Sequence, residues 1–210
     1  MFKNESIVLP ELVDMPDDAN FQVPDRDLLT YYRFAKDRIF FIDYEIDDYL
    51  MLLIKEIIRI NIMDKGKPVE ERKPIVIGIK TYGGNLDVTY SFIDVCAGSK
   101  TPIYTVNLGA AMSAGLLIFL AGHKRYCLEH STAMIHSGSA GFEGTYEQIE
   151  ASQKSYEKQV KKMRDYIISR SRIDAKLFAR KKKDDWYIES DEQVSLGIAD
   201  KVIEGLDEVF

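Results

Sequence analysis

The chain has 210 residues, of which 46% are hydrophobic and 30% charged, a composition typical of a globular protein with one real core. The net charge of −6 argues against general nucleic-acid binding, which needs a basic surface. No apolar run is long enough to span a membrane, and the N-terminus lacks a signal-type apolar core. The sequence therefore predicts a cytoplasmic protein with no membrane or nucleic-acid partner.

Three prolines, Pro10, Pro16 and Pro24, interrupt the acidic first part of the chain. Prolines break helices and strands, so no periodic element is expected there. The sequence predicts an N-terminal arm over residues 1–27, either extended or packed on a neighbour. A single domain over residues 28–210 follows it.

The domain begins with alternating helix and strand patterns. A short aromatic-rich helix is predicted over Leu28–Lys36 and a buried strand over Arg38–Ile42. Apolar residues then recur at helical spacing over Ile46–Met63, which predicts an amphipathic helix. The charged segment Asp64–Lys73 is expected to form a surface loop.

A second buried strand, predicted over Pro74–Ile79, leads to the glycine pair Gly83–Gly84. Such a pair either turns a backbone N–H toward a ligand or forms a plain tight turn. Asn85 is expected to cap a helix over Leu86–Ala97. The strand–helix–strand order favours a right-handed βαβ layout, with active groups at the strand ends.

A strand-to-helix turn is predicted around Ser113. The apolar strand Ile103–Val106 precedes the small-residue segment Asn107–Gly115, and the apolar helix Leu116–Ala121 follows it. At such a turn the serine hydroxyl points outward beside backbone N–H groups of the helix start, which suits a nucleophile whose intermediate carries an oxyanion. The alternative is that Ser113 only caps the helix.

Two later segments could supply partners for a serine nucleophile. His136 ends a predicted strand over Ala133–His136, and the carboxylates of Asp184 and Asp185 follow near the C-terminus. Serine, histidine and aspartate can assemble a catalytic triad in any chain order. The residue types alone leave both aspartates open.

The C-terminal part contains several helix-start signals. Thr145 and Gln148 have capping-box spacing at the start of a long charged helix that follows a glycine-rich loop, and Ser190 and Gln193 have the same spacing at a final helix. The two cysteines are expected to be buried free thiols. The three histidines lack the spacing of a metal site, so no metal is expected.

Together these motifs resemble the proteolytic subunit of Clp protease, the peptidase half of an ATP-dependent protease. The resemblance extends from Lys80 to Ile203 and implies an α/β fold of the crotonase-like, Clp type. That fold has repeated ββα units, a parallel sheet and a protruding helical handle at about residues 137–171. The matching segments are Gly83–Gly84, Gly109–Ser113, Lys124–Leu128, Met134–His136 and Gly197–Val202.

The resemblance also implies catalytic roles. Ser113, four residues after Gly109, matches the nucleophile, and His136 matches the general base. Counting twelve residues back from Gly197 selects Asp185 as the third member of the triad.

Further residues of the family's site carry over by position. The backbone N–H groups of Gly84 and Ala114 would form the oxyanion hole. Main chain near Leu86 and at Ser137 and Ser139 would hold an extended substrate by strand addition.

The family implies a homo-oligomer of stacked heptameric rings, a tetradecamer, that cuts peptides and unfolded polypeptides. No GxxxxGK[ST] motif occurs, so ATP would act only through a separate AAA+ unfoldase, and no cofactor is expected. One alternative is a non-catalytic or regulatory ring member. Another is a crotonase-type acyl-CoA enzyme, which would not need a triad.

Gly78 and Gly98 stand where the family has aromatic side chains that build pockets for unfoldase loops. Glycine cannot line a pocket, so the sequence predicts poor activation by a standard Clp unfoldase. The alternative is that neighbours such as Val76 and Tyr104 rebuild the pocket.

Overall fold

A computed structural model of the protein describes residues 26–136, 138, 141–181 and 184–210. One seven-stranded sheet is formed by β1 (Ile39–Ile42), β2 (Ile75–Thr81), β3 (Ile103–Met112), β4 (Lys124–Cys127), β5 (Thr132–Ile135), β6 (Trp186–Glu189) and β7 (Lys201–Val202). The α-helices are α1 (Arg26–Lys36), α2 (Leu50–Met63), α3 (Leu86–Gly98), α4 (Ala114–Leu120), α5 (Tyr146–Arg170), α6 (Ala175–Lys181) and α7 (Ser190–Ser195).

The sheet runs in the order β1-β2-β3-β4-β7, with all of these pairs parallel. Strand β3 changes its neighbour part-way along one edge. It pairs with β4 as far as Asn107, opposite Cys127, and with β5 from Ala110, opposite Thr132. Strand β6 then adds to β5 in the antiparallel sense. The predicted α/β fold with a mainly parallel sheet is confirmed.

The core lies between the sheet and the helices that cover it. Strand β2 is buried from Ile75 to Ile79, as expected for a parallel strand covered on both faces. Every residue of α4 is buried, and Phe92 of α3 and Phe119 of α4 are among the largest fully buried side chains. The site described below therefore begins at the end of a buried strand and the start of a buried helix.

Helix α2 begins at Leu50, so the prediction that it begins at Ile46 was wrong. The backbone of Ile46 is engaged elsewhere: its N–H donates to the Gly83 carbonyl at 2.8 Å, and its carbonyl accepts from Asn85 at 2.7 Å. These bonds join Ile46 to the glycine pair as an isolated parallel bridge. A partner distant in sequence thus overrides the local helical spacing.

Strand β3 continues to Met112, beyond the predicted end at Val106. The small residues after Val106 were interpreted as a turn, but Gly109 lies inside the strand, and a Cβ there would meet nothing closer than 3.8 Å. The turn is confined to Ser113, because α4 starts at Ala114. The predicted strand-to-helix junction therefore exists in a sharper form.

Helix α5 has 25 residues, and its predicted capping box is present. Gln148 N–H donates to the Thr145 hydroxyl at 3.4 Å, and Thr145 N–H donates to the Gln148 side chain at 2.9 Å. Only Met163 and Ile167 of this helix are buried, both in its C-terminal half. The N-terminal half therefore projects from the body, as predicted for a handle.

Two boundary predictions need correction. The capping box predicted for Ser190 and Gln193 is wrong, because the Ser190 hydroxyl donates to the Glu129 carbonyl at 2.6 Å and the Gln193 side chain is fully buried. Helix α1 begins at Arg26, within the range predicted as the N-terminal arm. Residues 1–25 of that arm lie outside the described residues.

Candidate active site

Ser113 occupies a strained turn between β3 and α4. Its φ of 54° and ψ of −120° are unusual for a residue with a side chain, and such a conformation costs about 1–3 kcal/mol. The turn is held by a 2.9 Å hydrogen bond from the Ser113 N–H to the Met134 carbonyl. The side chain makes no capping hydrogen bond with α4, so the helix-cap alternative does not account for it.

The Ser113 hydroxyl is joined to His136. Its Oγ lies 2.6 Å from the imidazole Nε2, and both residues are half-buried. Sheet pairing explains the contact, since Met112 of β3 pairs with Met134 of β5 and the two strands run parallel. Ser113 and His136 follow closely on their strands and so emerge at the same edge of the sheet.

Asp185 lies next to β6 and is exposed. The antiparallel β5–β6 ladder ends with Ile135 opposite Trp186, so the same register extended by one residue puts His136 opposite Asp185. Asp184 is one residue further from that pairing. The ladder stops one pair short of these residues, and among the described residues no hydrogen bond joins His136 to either aspartate.

The glycine pair packs directly against the serine turn. A Cβ at Gly83 would lie 3.2 Å from the Ala114 nitrogen, and Gly83 has a φ of 114° that disfavours other residues. The Ala114 N–H is the first of α4, and the first N–H groups of a helix lack acceptors inside it. Two chain segments far apart in sequence therefore bring their backbones together beside the Ser113 hydroxyl.

Gly84 is shaped by its contact with Ile46. Its φ is 146°, and a Cβ would lie 2.2 Å from the Ile46 carbonyl oxygen, so only glycine fits. No acceptor for the Gly84 N–H occurs among the described residues. The oxyanion-hole role that the resemblance implies for Gly84 stays a prediction.

A groove of about 300 Å³ extends from the glycine pair. Leu86, predicted to lie on the substrate path, begins α3 just after the pair and is half-buried. Ser137 and Ser139, the other predicted substrate contacts, lie outside the described residues. The lining residues of the groove are Asp43, Tyr44, Glu45, Lys80, Thr81, Tyr82, Gly83 and Gly84.

Thr81 is a supporting residue that the sequence reasoning missed. Its hydroxyl donates to the Tyr44 carbonyl at 2.6 Å and accepts from the Gly83 N–H at 3.3 Å. A Cβ at Gly115 would lie 2.6 Å from its methyl group. The only signal was a threonine at a predicted strand end, which is too common to single out.

A sequence model of the Clp protease family matches residues 24–205 of the chain. The chain belongs to the Clp protease family. It is 31% identical over 134 residues to the ATP-dependent Clp protease proteolytic subunit 2 of Treponema pallidum, covering 63% of this chain and 67% of that protein. It is 29% identical over 180 residues to the ATP-dependent Clp protease proteolytic subunit of Deinococcus radiodurans, covering 83% of this chain and 84% of that protein.

The architecture agrees with this Clp protease membership, since the α/β fold, the parallel sheet and the projecting α5 are those that the resemblance implied. Within the described ranges, no helix is long and apolar enough to cross a membrane. The same part of the chain contains no group of three or more histidine, cysteine, aspartate or glutamate residues that could hold a metal ion.

Proposed function

We propose that this member of the Clp protease family is a cytoplasmic serine endopeptidase that hydrolyses peptides and unfolded polypeptides. The observation that carries the proposal is the 2.6 Å contact between Ser113 Oγ and His136 Nε2 at a strained strand-to-helix turn. Strain of this kind persists only where the surrounding structure imposes it, and it is frequent at nucleophilic serines.

In the proposed reaction, Ser113 Oγ attacks the scissile carbonyl carbon while His136 Nε2 takes its proton. The tetrahedral oxyanion accepts hydrogen bonds from the N–H groups of Gly84 and Ala114, which stabilise the charge as it forms. When the C–N bond breaks, His136 gives the proton to the leaving amine. Water then releases the acyl group by the same steps, with His136 as base and then acid.

Asp185 completes this proposal as the group that orients the imidazole. A carboxylate hydrogen-bonded to Nδ1–H keeps the Nε2 lone pair directed at the serine and stabilises the imidazolium. In the structure the β5–β6 ladder stops at Ile135–Trp186. The productive state requires the Asp185 carboxylate to accept a hydrogen bond from His136 Nδ1–H, a bond that is absent among the described residues.

We further propose that the site works inside a chamber built from stacked heptameric rings. Exposed apolar side chains support subunit contacts: Met51, Leu52, Ile58 and Ile62 on α2, and Phe142, Tyr146 and Ile149 at the projecting end of α5. Single exposed apolar residues are ordinary on a monomer, but two clustered sets indicate interfaces. An ATP-driven AAA+ unfoldase would supply unfolded chains to this chamber.

A second candidate, a non-catalytic ring member, is favoured by one observation: Asp185 makes no hydrogen bond to His136 among the described residues. The two candidates differ in the reactivity of Ser113. An activated serine reacts with a fluorophosphonate, whereas a serine without a working base does not.

The deciding experiment is fluorophosphonate labelling of the purified protein, with the labelled peptide located by mass spectrometry. We expect one label per chain, on Ser113, that is lost in Ser113→Ala and retained in Ser91→Ala. Ser91 is a matched control, because its hydroxyl only bonds the Asp87 carbonyl in the preceding turn of α3. A folded protein that takes up no label would favour the non-catalytic candidate.

A further inference from the structure

Two fully buried amide side chains, those of Asn107 and Gln193, meet where β3 changes its neighbour. The Asn107 Nδ2 donates to the Gln193 Oε1 at 3.2 Å, across 86 residues of sequence. Asn107 is the last residue of β3 that pairs with β4, and Gln193 lies in α7, directly after β6. The contact therefore links the strand that leads to Ser113 with the segment that follows Asp185.

Asn107 fastens the start of β5 to β3. Its Nδ2 also donates to the Thr132 carbonyl at 3.2 Å, and its Oδ1 accepts from the Gly109 N–H at 3.1 Å. Both hydrogens and the oxygen of this amide thus have partners. Turning the amide round would oppose like atoms at Gly109 and Thr132, so the surroundings select one orientation.

Gln193 fastens β5 to β6. Its Nε2 donates to the Ser131 carbonyl at 2.9 Å, immediately before β5, and to the Ile188 carbonyl at 3.1 Å, within β6. Its oxygen accepts from Asn107, so this amide is fully satisfied as well. A buried network with every member paired is rigid and specifies one arrangement.

The strands held by these amides are short. Strands β5 and β6 have four residues each, and they precede His136 and follow Asp185 respectively. A slip of one residue would shift β6 by about 3.3 Å and turn its side chains to the other face. Asp184 or Trp186 would then stand opposite His136 instead of Asp185. So short a ladder needs a further constraint to hold one register.

We propose that Asn107 and Gln193 are positioning residues that fix the register of β6 on β5 and so present Asp185 to His136. Their hydrogen bonds go to main-chain atoms and to each other, so they act through the strands and not on the substrate. The inference rests on the proposed serine-peptidase function.

The first test is Gln193→Met, which keeps the side-chain length and removes both donors. With a fluorogenic peptide we expect kcat to fall by about 10- to 100-fold, the effect of misplacing a catalytic group, with KM changed less than about twofold. This split between kcat and KM, measured per folded chain, is not expected from a loss of stability alone.

Asn61→Leu is the matched control. The Asn61 amide also joins segments that are distant in sequence: it donates to the Ser99 hydroxyl at 2.8 Å and accepts from the Thr101 N–H at 3.2 Å. In the described part of the chain it makes no hydrogen bond to β5, β6 or α7. We expect it to lower the melting temperature comparably while leaving kcat and KM unchanged. The same loss of kcat in both variants would overturn the positioning role.

A double variant, Asn107→Val with Gln193→Leu, covers the case in which Gln193→Met fails to fold. Replacing both amides by apolar side chains means that neither of the two is left as a buried polar side chain facing a lost partner. In this background Asp185→Asn should cost at least about tenfold less activity than in the parent, since misplaced groups no longer act as a unit. An undiminished cost of Asp185→Asn would refute the inference. Hydrolysis by the parent that does not depend on Ser113 would instead overturn the proposed function, and the positioning role with it.

Discussion

Gly83 and Ser113 are in direct contact across the candidate site. A Cβ placed on Gly83 would lie 2.8 Å from the Ser113 Cβ and 3.0 Å from the Met112 carbonyl oxygen. Real Cβ atoms essentially never come as close as the first of these distances, and the second is unusually tight, so the strained Ser113 turn would have to shift. The absent side chain of Gly83 is therefore part of how Ser113 is positioned.

The first prediction is that Gly83→Ala inactivates the protein without unfolding it. The added methyl group would displace the Ser113 turn, and a displacement of about 1 Å can cost about 100-fold in rate. Gly66→Ala is the control, since Gly66 also has a positive φ, of 95°, but a Cβ there would meet nothing within 4 Å. Peptide hydrolysis and melting temperature should be measured for both. Equal activity in the two variants would show that the contact does not matter.

The second prediction separates the two neighbouring aspartates. Asp185→Asn should be crippling, by about 10⁴-fold in kcat if it acts as the triad aspartate of serine proteases does. Asp184→Asn should be mild, because its position is one residue beyond the one opposite His136. Steady-state kinetics on a peptide would rank the two aspartate variants, and the reverse order would identify Asp184 as the triad member.

Ser113→Ala should remove hydrolysis while leaving fold and assembly intact.

Elements with local signals were predictable from the sequence. The cap of α3 needs only Asn85, whose side chain accepts from the N–H groups of Asp87 and Val88, a bond between near neighbours. The same is true of the Thr145–Gln148 capping box. A side-chain-to-backbone hydrogen bond between residues two or three apart can be predicted from the sequence, because both partners lie in the same short segment.

Features that depend on distant partners were not predictable. Ile46 has helical spacing, yet it pairs with the backbone beside Gly83. Gln193 has capping-box spacing, yet its side chain turns inward to Asn107. The candidate site shows both situations: Ser113 and His136 were found from their motifs, whereas their supports at Ile46 and Gln193 became visible only in the folded chain.

The third prediction concerns assembly. The protein should sediment as heptameric rings, with pairs of rings joined through the projecting end of α5. Ile149→Asp would bury a charge in that contact and should yield single rings, since a buried unpaired charge is costly. Glu150→Ala is the control, because its carboxylate makes only an exposed ion pair with Lys154. Sedimentation velocity over a range of salt and protein concentrations would check this. Monomer or dimer alone under all conditions would contradict it.

The fourth prediction concerns the buried ion pair of Arg38 and Asp64. Asp64 is fully buried, and its carboxylate oxygens accept from Arg38 Nη1 at 2.6 Å and Nη2 at 2.9 Å, although the sequence predicted a surface loop here. Arg38→Ala should lower the free energy of unfolding by about 3 kcal/mol, the lower end for breaking a buried ion pair. The buried carboxylate loses its two shortest hydrogen bonds and keeps those from Lys67 Nζ at 3.0 Å and the Thr101 hydroxyl at 3.1 Å. Asp37→Asn, which removes an exposed pair with Lys73, should cost at most about 1 kcal/mol.

The pH dependence of this pair has a definite sign. The hydrogen bonds from Arg38 hold the pKa of the Asp64 carboxyl well below its usual range. Its folded-state pKa thus lies below the unfolded value of about 3.9, so the stabilisation is fully present above that value and is lost as the pH falls through the folded pKa. Urea unfolding of parent and Arg38→Ala should therefore differ at pH 7 and converge only in strong acid. Convergence near neutral pH would contradict the assignment.

The last prediction concerns activation by an unfoldase, and it begins with Gly78. The space that a side chain at Gly78 would need is already occupied: a Cβ there would lie 2.7 Å from the Leu108 Cδ1 and 2.8 Å from the Phe41 Cδ1. Phe41 is 37% exposed and packs edge-on against Phe34 at 5.0 Å. Phe41 thus lies beside position 78, where the resemblance to Clp protease implies an aromatic side chain.

Gly98 differs from Gly78, because a Cβ there would meet nothing within 4 Å. We expect a standard Clp unfoldase with ATP to promote little degradation of a tagged, folded substrate by the parent protein. Gly98→Phe should fold normally and raise degradation, since a buried aromatic contributes up to a few kcal/mol per contact and many subunits engage at once. Gly78→Tyr should destabilise the protein through its clash with Phe41 and Leu108, and should give no such gain. Peptide hydrolysis without the unfoldase should be the same in the parent and in Gly98→Phe, so that the comparison reports docking alone. Robust degradation by the parent would show that Phe41, with Val76 and Tyr104, already provides a working pocket.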